Sequence, residues 1–589
     1  GCPNRMDPPS AYASTAIYDQ LTVIKGVESL LYGSGGSGGT VLFERQDPKF
    51  EPGENIQSEI GAGYVSNGAA WDAHADVATG GEQGFIRGIV TSKSADPYED
   101  GDGNEVRSGY DEKSAVVDMA YRPDNNSKLS ASVEAVRGED ILFAGASMDA
   151  PISDHDLITL GYERDFSQGA LSHLEVELYS SAVDHVMDNY SLRTNTTMWM
   201  LVPSESDTVG GRVKGDMLVG DGLLTLGVDV MQNDRDATRY GGAAGIDPTV
   251  INSYMWPGVA IKQIGVVAEY ARETSSKDRF TMGIRVDQVD ASASKADLNP
   301  APGWADSPGT LYSTYYGVTD TSHDETNVGA LLRYEHDLAN KATTFFAGLS
   351  RTMRTADATE RFMAADNMTA SMIWVGNPGL DPEAHHQLDI GLEHKARQYR
   401  GSVTVYYDQV NDYILRDRAR GQDGILLADL ATVYRNVDAE LYGVDLEGDY
   451  QWNSRWSSMM TLAYVHATNT TESRPIAQTP PLEGTVSLEY RKSDWLWGGL
   501  VRAVAQQTRV DDDITTGSGL DIGQTPGFTV YNLYGAYQLN RLSSISFGVD
   551  NVTDKTYAEH LNKPNAFDTT QIQVNEPGRS YWAKMNVVF

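Results

Sequence analysis

A single cysteine, Cys2, serves all 589 residues. No intramolecular disulfide can form, so the compartment cannot be read from crosslinks. The chain also lacks any run of 18 or more apolar residues, which gives no support to a transmembrane helix. A membrane β-barrel stays open, because its strands alternate lipid-facing and lumen-facing residues and average to a low mean hydropathy, here −0.39. Basic residues are scarce: 46 Lys and Arg stand against 82 Asp and Glu, a net charge of −36. That balance argues against nucleic-acid binding, which needs a basic footprint; an acidic surface attracts cations and otherwise solvates a large exterior. Gly1 is followed by no basic stretch and no apolar core of the kind a signal peptide carries. No GxSxG elbow and no HExxH helix occurs, and Cys2 has no evident base or oxyanion hole, so an enzyme is not expected.

What is present points to strands. The chain holds 57 Gly, 31 Tyr and 10 Trp. From about residue 54 onward, segments of alternating character are broken by turn clusters such as RPDNNSK and QLNRLSS. Ser402–Leu415, Glu440–Trp452, Ser457–Thr468 and Gly484–Ser493 are expected strands. Short turns alternate with long polar connections such as Ala95–Ser114, the asymmetry of outer-membrane barrels. No motif recurs at the period of about 40–50 residues that a propeller would show. In the final segment, Tyr581, Ala583, Met585, Val587 and Phe589 share one face that suits lipid; Trp582, Lys584, Asn586 and Val588 share the other. Twenty-two strands would use about 24 residues each with their connections, and so wide a barrel needs a plug. Residues 1–53 read differently: a strand (Leu21–Ile24), a helical piece VESLLY, the glycine run Gly33–Gly39, and a second strand TVLFER. The run lacks the following Lys-Ser/Thr of a phosphate loop, so it is read as backbone that turns sharply or approaches another backbone.

Three segments carry a family resemblance. VIKGVESLLYGSGGSGGTV resembles the plug signature of TonB-dependent outer-membrane receptors. NPGLDPEAHHQLDIGLEH resembles their mid-barrel segment through Asn377, Pro378, Leu380, Pro382 and Glu383. FGVDNVTDKTY with EPGRSYWAKMNVVF resembles their C-terminal end. The resemblance implies an all-β, 22-stranded antiparallel transmembrane barrel (54–589) preceded by the C-terminal part of a plug domain (1–53). It implies residence in the bacterial outer membrane among lipid and lipopolysaccharide, uptake energised by the inner-membrane TonB complex, and a monomer. The family's plug is longer and carries an energy-coupling box; neither its first half nor the box lies within these residues. CPNRMDPP together with HVMDN resembles the copper-uptake subgroup, where a plug CxxxM and a barrel HxM bind copper. That implies Cys2, Met6, His185 and Met187 as ligands.

The chemistry of those four residues stands beside the resemblance. Cys2 and Met6 are at i and i+4, one face of a helical turn in which Pro3 is tolerated and Pro8 and Pro9 end the turn. His185 and Met187 are at i and i+2, one face of a strand, expected to be the lumen face. A thiolate, two thioethers and an imidazole suit Cu(I); zinc would prefer more Cys and His. The thiolate must form, so affinity should fall in acid. A second cysteine could oxidise with Cys2 and destroy the ligand. Met198 and Met200, and more remotely Met363, Met368 and Met372, are candidates for transient Cu(I) contacts, though packing explains them as well. His385 and His386 are assigned a structural role, and the Asp-rich loops lack the ligand order of an EF-hand. The expected function is copper uptake, with Cu(I) as cargo. The alternatives are a siderophore or other metal-chelate receptor, and a surface binding protein whose metal is structural.

Overall fold

The computed structural model describes residues 1–35, 38–301, 305–339, 342–566 and 573–589. Among them, twenty-two antiparallel strands of eight residues or more form a closed barrel, sealed where Ser580–Val588 pairs with Ile56–Val65. Closure leaves no sheet edge, which a strand in lipid could not afford. The strands expected from alternation are present, with longer bounds: Tyr399–Arg418, Thr432–Gln451, Trp456–Asn469 and Glu483–Lys492.

The alternation runs apolar outward and polar inward. In Asp278–Ala293, Ile284 and Val286 are exposed on the outside. Their neighbours Arg285 and Asp287 point inward and are 1% exposed, joined to each other at 2.7 Å, with Asp229 also 2.7 Å from Arg285. Short turns lie at the end where Ile56 starts and Val588 finishes; long connections lie at the other, which is the extracellular end.

The N-terminal segment lies inside the barrel and touches strands around the ring. Lys25 meets Asp445, Ser29 meets Glu269, and Arg45 meets both Asp118 and Glu134 at 2.9 Å. Its two strands, Gln20–Ile24 and Thr40–Glu44, pair antiparallel. Gly39 has φ +98°, and a Cβ there would strike the Ile24 carbonyl, so the glycine run does serve a close backbone approach. Gly36 and Ser37 lie outside the described residues. The expected helical piece VESLLY is not helical. Glu269 of the barrel takes the Ser29 hydroxyl and the Leu30 amide, and Leu31 donates to Ser29 Oγ, so these groups are satisfied without helix formation.

At the extracellular mouth two long connections fold over the lumen. They carry the helices Pro308–Tyr316 and Ala358–Phe362, the latter closed by a capping box between Asp357 and Glu360. The segment from Asn377 to Glu383 anchors this region. Asn377 donates to the Tyr434 carbonyl, and Leu380 is fully buried. Glu383 receives Arg354 through both oxygens, the Ile414 amide at 2.8 Å and His385 at 3.2 Å; His385 also meets Asp408 at 2.7 Å. His385 is therefore a structural bridge, as its place in that segment suggests. Glu383→Ala leaves Arg354 and His385 without their shared counter-charge. It is expected to cost about 3–5 kcal/mol, the usual penalty for breaking a buried pair from one side, read as a lower urea midpoint for barrel unfolding.

Candidate metal centre

Cys2 opens a tight turn. The Arg5 amide donates to the Cys2 carbonyl at 3.0 Å, and Arg5 sits at φ 55°. The expected helical turn over Cys2–Met6 is thus replaced by a hydrogen-bonded turn with one left-handed residue; Pro8 and Pro9 leave no room for a helix to propagate, and a short 3-10 turn follows over Pro9–Tyr12. This geometry turns the Asn4 and Met6 amides toward the Cys2 sulfur. The turn is fastened to the barrel's loops. Arg5 meets Asp357 at 2.5 Å and Glu360 at 3.0 Å, and Thr359 Oγ1 donates to the Pro3 carbonyl while accepting from Trp256 Nε1.

His185 and Met187 lie near the extracellular end of the strand Leu171–Asp188, paired on both sides, with His185 opposite Ser153 and Ser204. Both point inward and are buried, at 1% and 2% exposure. Cys2 Sγ lies 3.5 Å from Met187 Sδ across 185 residues of chain. Two sulfur ligands of one tetrahedral ion, each at ~2.3 Å, would sit ~3.8 Å apart, so this separation is close to that of a shared ion. A ring nitrogen of His185, Cys2 Sγ and a carboxylate oxygen of Asp7 all lie within 4.8 Å of one another. Met6 packs against the same apolar cluster as Cys2 and Met187, and its sulfur is 3.0 Å from Lys563 Nζ. Cys2 is therefore within reach of both Met187 and His185. Met6 is adjacent, with a lysine ammonium at its sulfur.

Asp7 was not anticipated. It accepts from the Tyr12 hydroxyl, and its Oδ2 is 3.9 Å from His185 Nε2. Its Oδ1 and the His185 Nδ1 are buried atoms without a hydrogen-bond partner among the described residues. Proximity in sequence to Cys2 and Met6 was the available signal, but one carboxylate among 82 acidic residues carries no spacing that singles it out. Burial pushes the Cys2 thiol up to about 11, and the nearby Asp7 carboxylate adds to the rise; the Asn4 and Met6 amides act the other way. A proton, or a cation in its place, is what this site wants on sulfur.

More methionines converge here than sequence spacing shows. Met148, Met255 and Met363 are buried in the cluster that holds Cys2 and Met187, and Met200 packs against it. Met200 and Met198 sit at the extracellular start of the strand Met198–Val219, where Trp199 between them stacks on Tyr190. Met368 and Met372 are exposed on the loop between Arg354 and Glu383, at 86% and 65%.

A closed 22-stranded barrel with an occupied lumen and a buried soft-donor cluster under its extracellular mouth is an outer-membrane transporter. The chain belongs to the TonB-dependent receptors: residues 90–552 match the family model described as TonB dependent receptor-like, beta-barrel. Over its full length it is similar in structure to the copper transporter OprC, with 31% identity, a TM-score of 0.86 and 91% of that chain covered. The FrpB iron transporter from Neisseria meningitidis shares the fold at 14% identity and a TM-score of 0.72, with 97% of this chain and 87% of that one covered. Among curated relatives, the heme transporter BhuA of Brucella ovis is 22% identical over 236 residues, 38% of this chain; the chain spans about a third of the length of the curated relatives it matches, 35% in this case.

Proposed function

We propose that this receptor imports copper, held as Cu(I) by Cys2, Met187, His185 and Met6. The observation that carries the reading is the meeting of the lone thiol with Met187 and His185 in a buried site, from opposite parts of the chain. Thiolate and thioether ligands select Cu(I), and the surrounding methionines offer softer, weaker contacts through which the ion can approach. The full-length likeness to a copper transporter agrees with this reading.

In this reading residues 1–53 are the last part of a plug that contributes Cys2 and Met6, while the barrel contributes His185 and Met187. A metal bound to both bodies is released when the TonB complex pulls the Cys2 turn away. Arg5 and Pro3 hold that turn against Asp357, Glu360 and Thr359 until then. Asp7 stands outside the four ligands, 3.9 Å from His185 Nε2, as the carboxylate that favours a cation in this buried site. Asp7→Asn is accordingly expected to weaken Cu(I) binding by about 10–100-fold, the usual range for an outer-shell partner, measured by competition with a Cu(I) chelator.

The deciding experiment offers the purified receptor Cu(I), Zn(II), a ferric siderophore and haem in parallel. Stoichiometric retention of copper alone is expected; retention of haem or the ferric chelate with no copper overturns the reading. A second reading is favoured by a cavity of about 540 Å³ beside Cys2, lined by Arg5, Arg235 and Trp256. Arg5 is held by Asp357 and Glu360, and Asp7 and Asp357 share the lining, so Arg235 is the guanidinium left to meet a small anionic chelate; in this reading metal arrives with its carrier rather than bare.

A further inference from the structure

We propose that the lipid-facing surface near the barrel's C-terminal strands carries a site for one anionic phospholipid of the periplasmic leaflet, with an acyl chain in a glycine-floored trough and the headgroup at unpaired basic side chains below it. Residues directly opposite one another in adjacent strands share a face. Leu488, Gly499 and Leu533 form one such row, and Trp497, Gly535 and Phe547 form the next. Leu488, Trp497 and Leu533 are about half exposed, which places both rows on the outside of the barrel. Gly499, at the middle of the first row, lines the gap between them together with Gly498 and Gly548, while the Phe547 ring lies over Gly535 in the second. The result is a trough of about 630 Å³ walled by Trp497, Leu488, Leu533 and Phe547.

Its depth in the membrane follows from the aromatic band. Trp456 packs on Tyr490 with centroids 4.8 Å apart, and Trp495 packs on Tyr537 at 4.4 Å and on Trp497 at 5.3 Å. Such girdles mark the interface. The band lies at the end with short turns, so the trough opens to the periplasmic leaflet.

The charge pattern names the occupant. Three neighbouring turns at this rim, 452–455, 493–494 and 539–542, are flanked by or contain Arg455, Lys492 and Arg541. All three side chains are exposed, and none has a carboxylate partner among the described residues. Elsewhere on the same rim many bases are paired, Arg122 with Asp47, Arg272 with Asp221, Arg279 with Glu335 and Asp337, Arg400 with Asp449, while Lys277 and Arg397 stand singly on separate turns. The only carboxylate on the three turns is Asp494, and Arg491 beside them faces Glu489 at 3.7 Å. What sets this patch apart, in a chain of net charge −36, is that three such cations lie on neighbouring turns. Lys492 shares the outward face with Leu488, four residues or ~13 Å along the strand, which sets a phosphate at the headgroup level while its chain reaches the trough. Hairpin turns recur every two strands, ~10 Å, so Lys492 and Arg541 can flank one headgroup.

The test is native mass spectrometry of the full chain with phosphatidylglycerol and phosphatidylcholine added at equal concentration. One phosphatidylglycerol is expected to stay bound under activation that strips phosphatidylcholine. The double variant Lys492→Gln and Arg541→Gln should lower that preference roughly tenfold or more, at about 1 kcal/mol per base near the surface. Gly499→Leu fills the trough and needs only the end of the Leu533 side chain to yield, at 3.3 Å from the new Cβ; it should shed both lipids with the preference unchanged. Each variant is first checked for heat-modifiable migration. Equal retention of the two lipids by the parent, unchanged binding in both folded variants, or a second copy of the chain in place of lipid would overturn the proposal.

Discussion

Cys2→Ala is expected to empty the purified receptor of copper while leaving the barrel folded. Structural zinc sites supply on the order of 10–16 kcal/mol; a comparable quarter share for the anionic ligand here is a loss of about 70- to 900-fold in affinity. The loss should exceed that from Met187→Leu, because the thioether is neutral whereas Cys2 supplies the anionic ligand. Fold is spared because Cys2 contributes little to the ring of strands; its partners are the mouth cluster and the turn's own amides. The measurement is copper per protein by elemental analysis after gel filtration, with barrel integrity followed by heat-modifiable migration. Equal copper in parent and Cys2→Ala would remove Cys2 from the site.

Cu(I) affinity is expected to fall about tenfold for each pH unit of acidification between pH 8 and pH 6, a hundredfold in all. The sign follows from the thiol. With burial holding Cys2 near 11, the free site is protonated across this range, and the metal must displace one proton at every pH within it. Each unit down raises the proton's competition by ~1.4 kcal/mol. A titration against a pH-independent Cu(I) chelator gives the slope. In Cys2→Ser, whose hydroxyl does not ionise here, the dependence attributable to this proton should vanish along with most of the binding. A flat profile in the parent would mean that the thiolate is already formed without metal, contrary to the effect of its burial.

The fold was legible because its signal is local and repeated. Alternation in Ser402–Leu415 or Ser580–Val588, broken by turn clusters, is what a two-faced strand between lipid and lumen requires, and each segment reports it independently. The helical piece VESLLY failed for the opposite reason. Its propensity was overridden by Glu269, a barrel carboxylate some 240 residues away that takes the Leu30 amide and the Ser29 hydroxyl, while Ser29 Oγ takes the Leu31 amide. The turn at Cys2–Met6 failed in a similar way: spacing i, i+4 fits a helix, but Arg5 takes a left-handed conformation and its side chain is held by Asp357 and Glu360.

By itself the sequence determined the barrel, the lumen-directed faces of its strands, and the types of donor available, since periodicity and residue chemistry are properties of short segments. Only the tertiary structure decided which donors meet. It brought Cys2 to within 3.5 Å of Met187, added Asp7 beside His185, and gathered Met148 and Met255 into the same cluster while leaving Met368 and Met372 in solvent. Those choices depend on closure of the barrel and on loops folding inward over the lumen, contacts between residues hundreds of positions apart that no local pattern encodes.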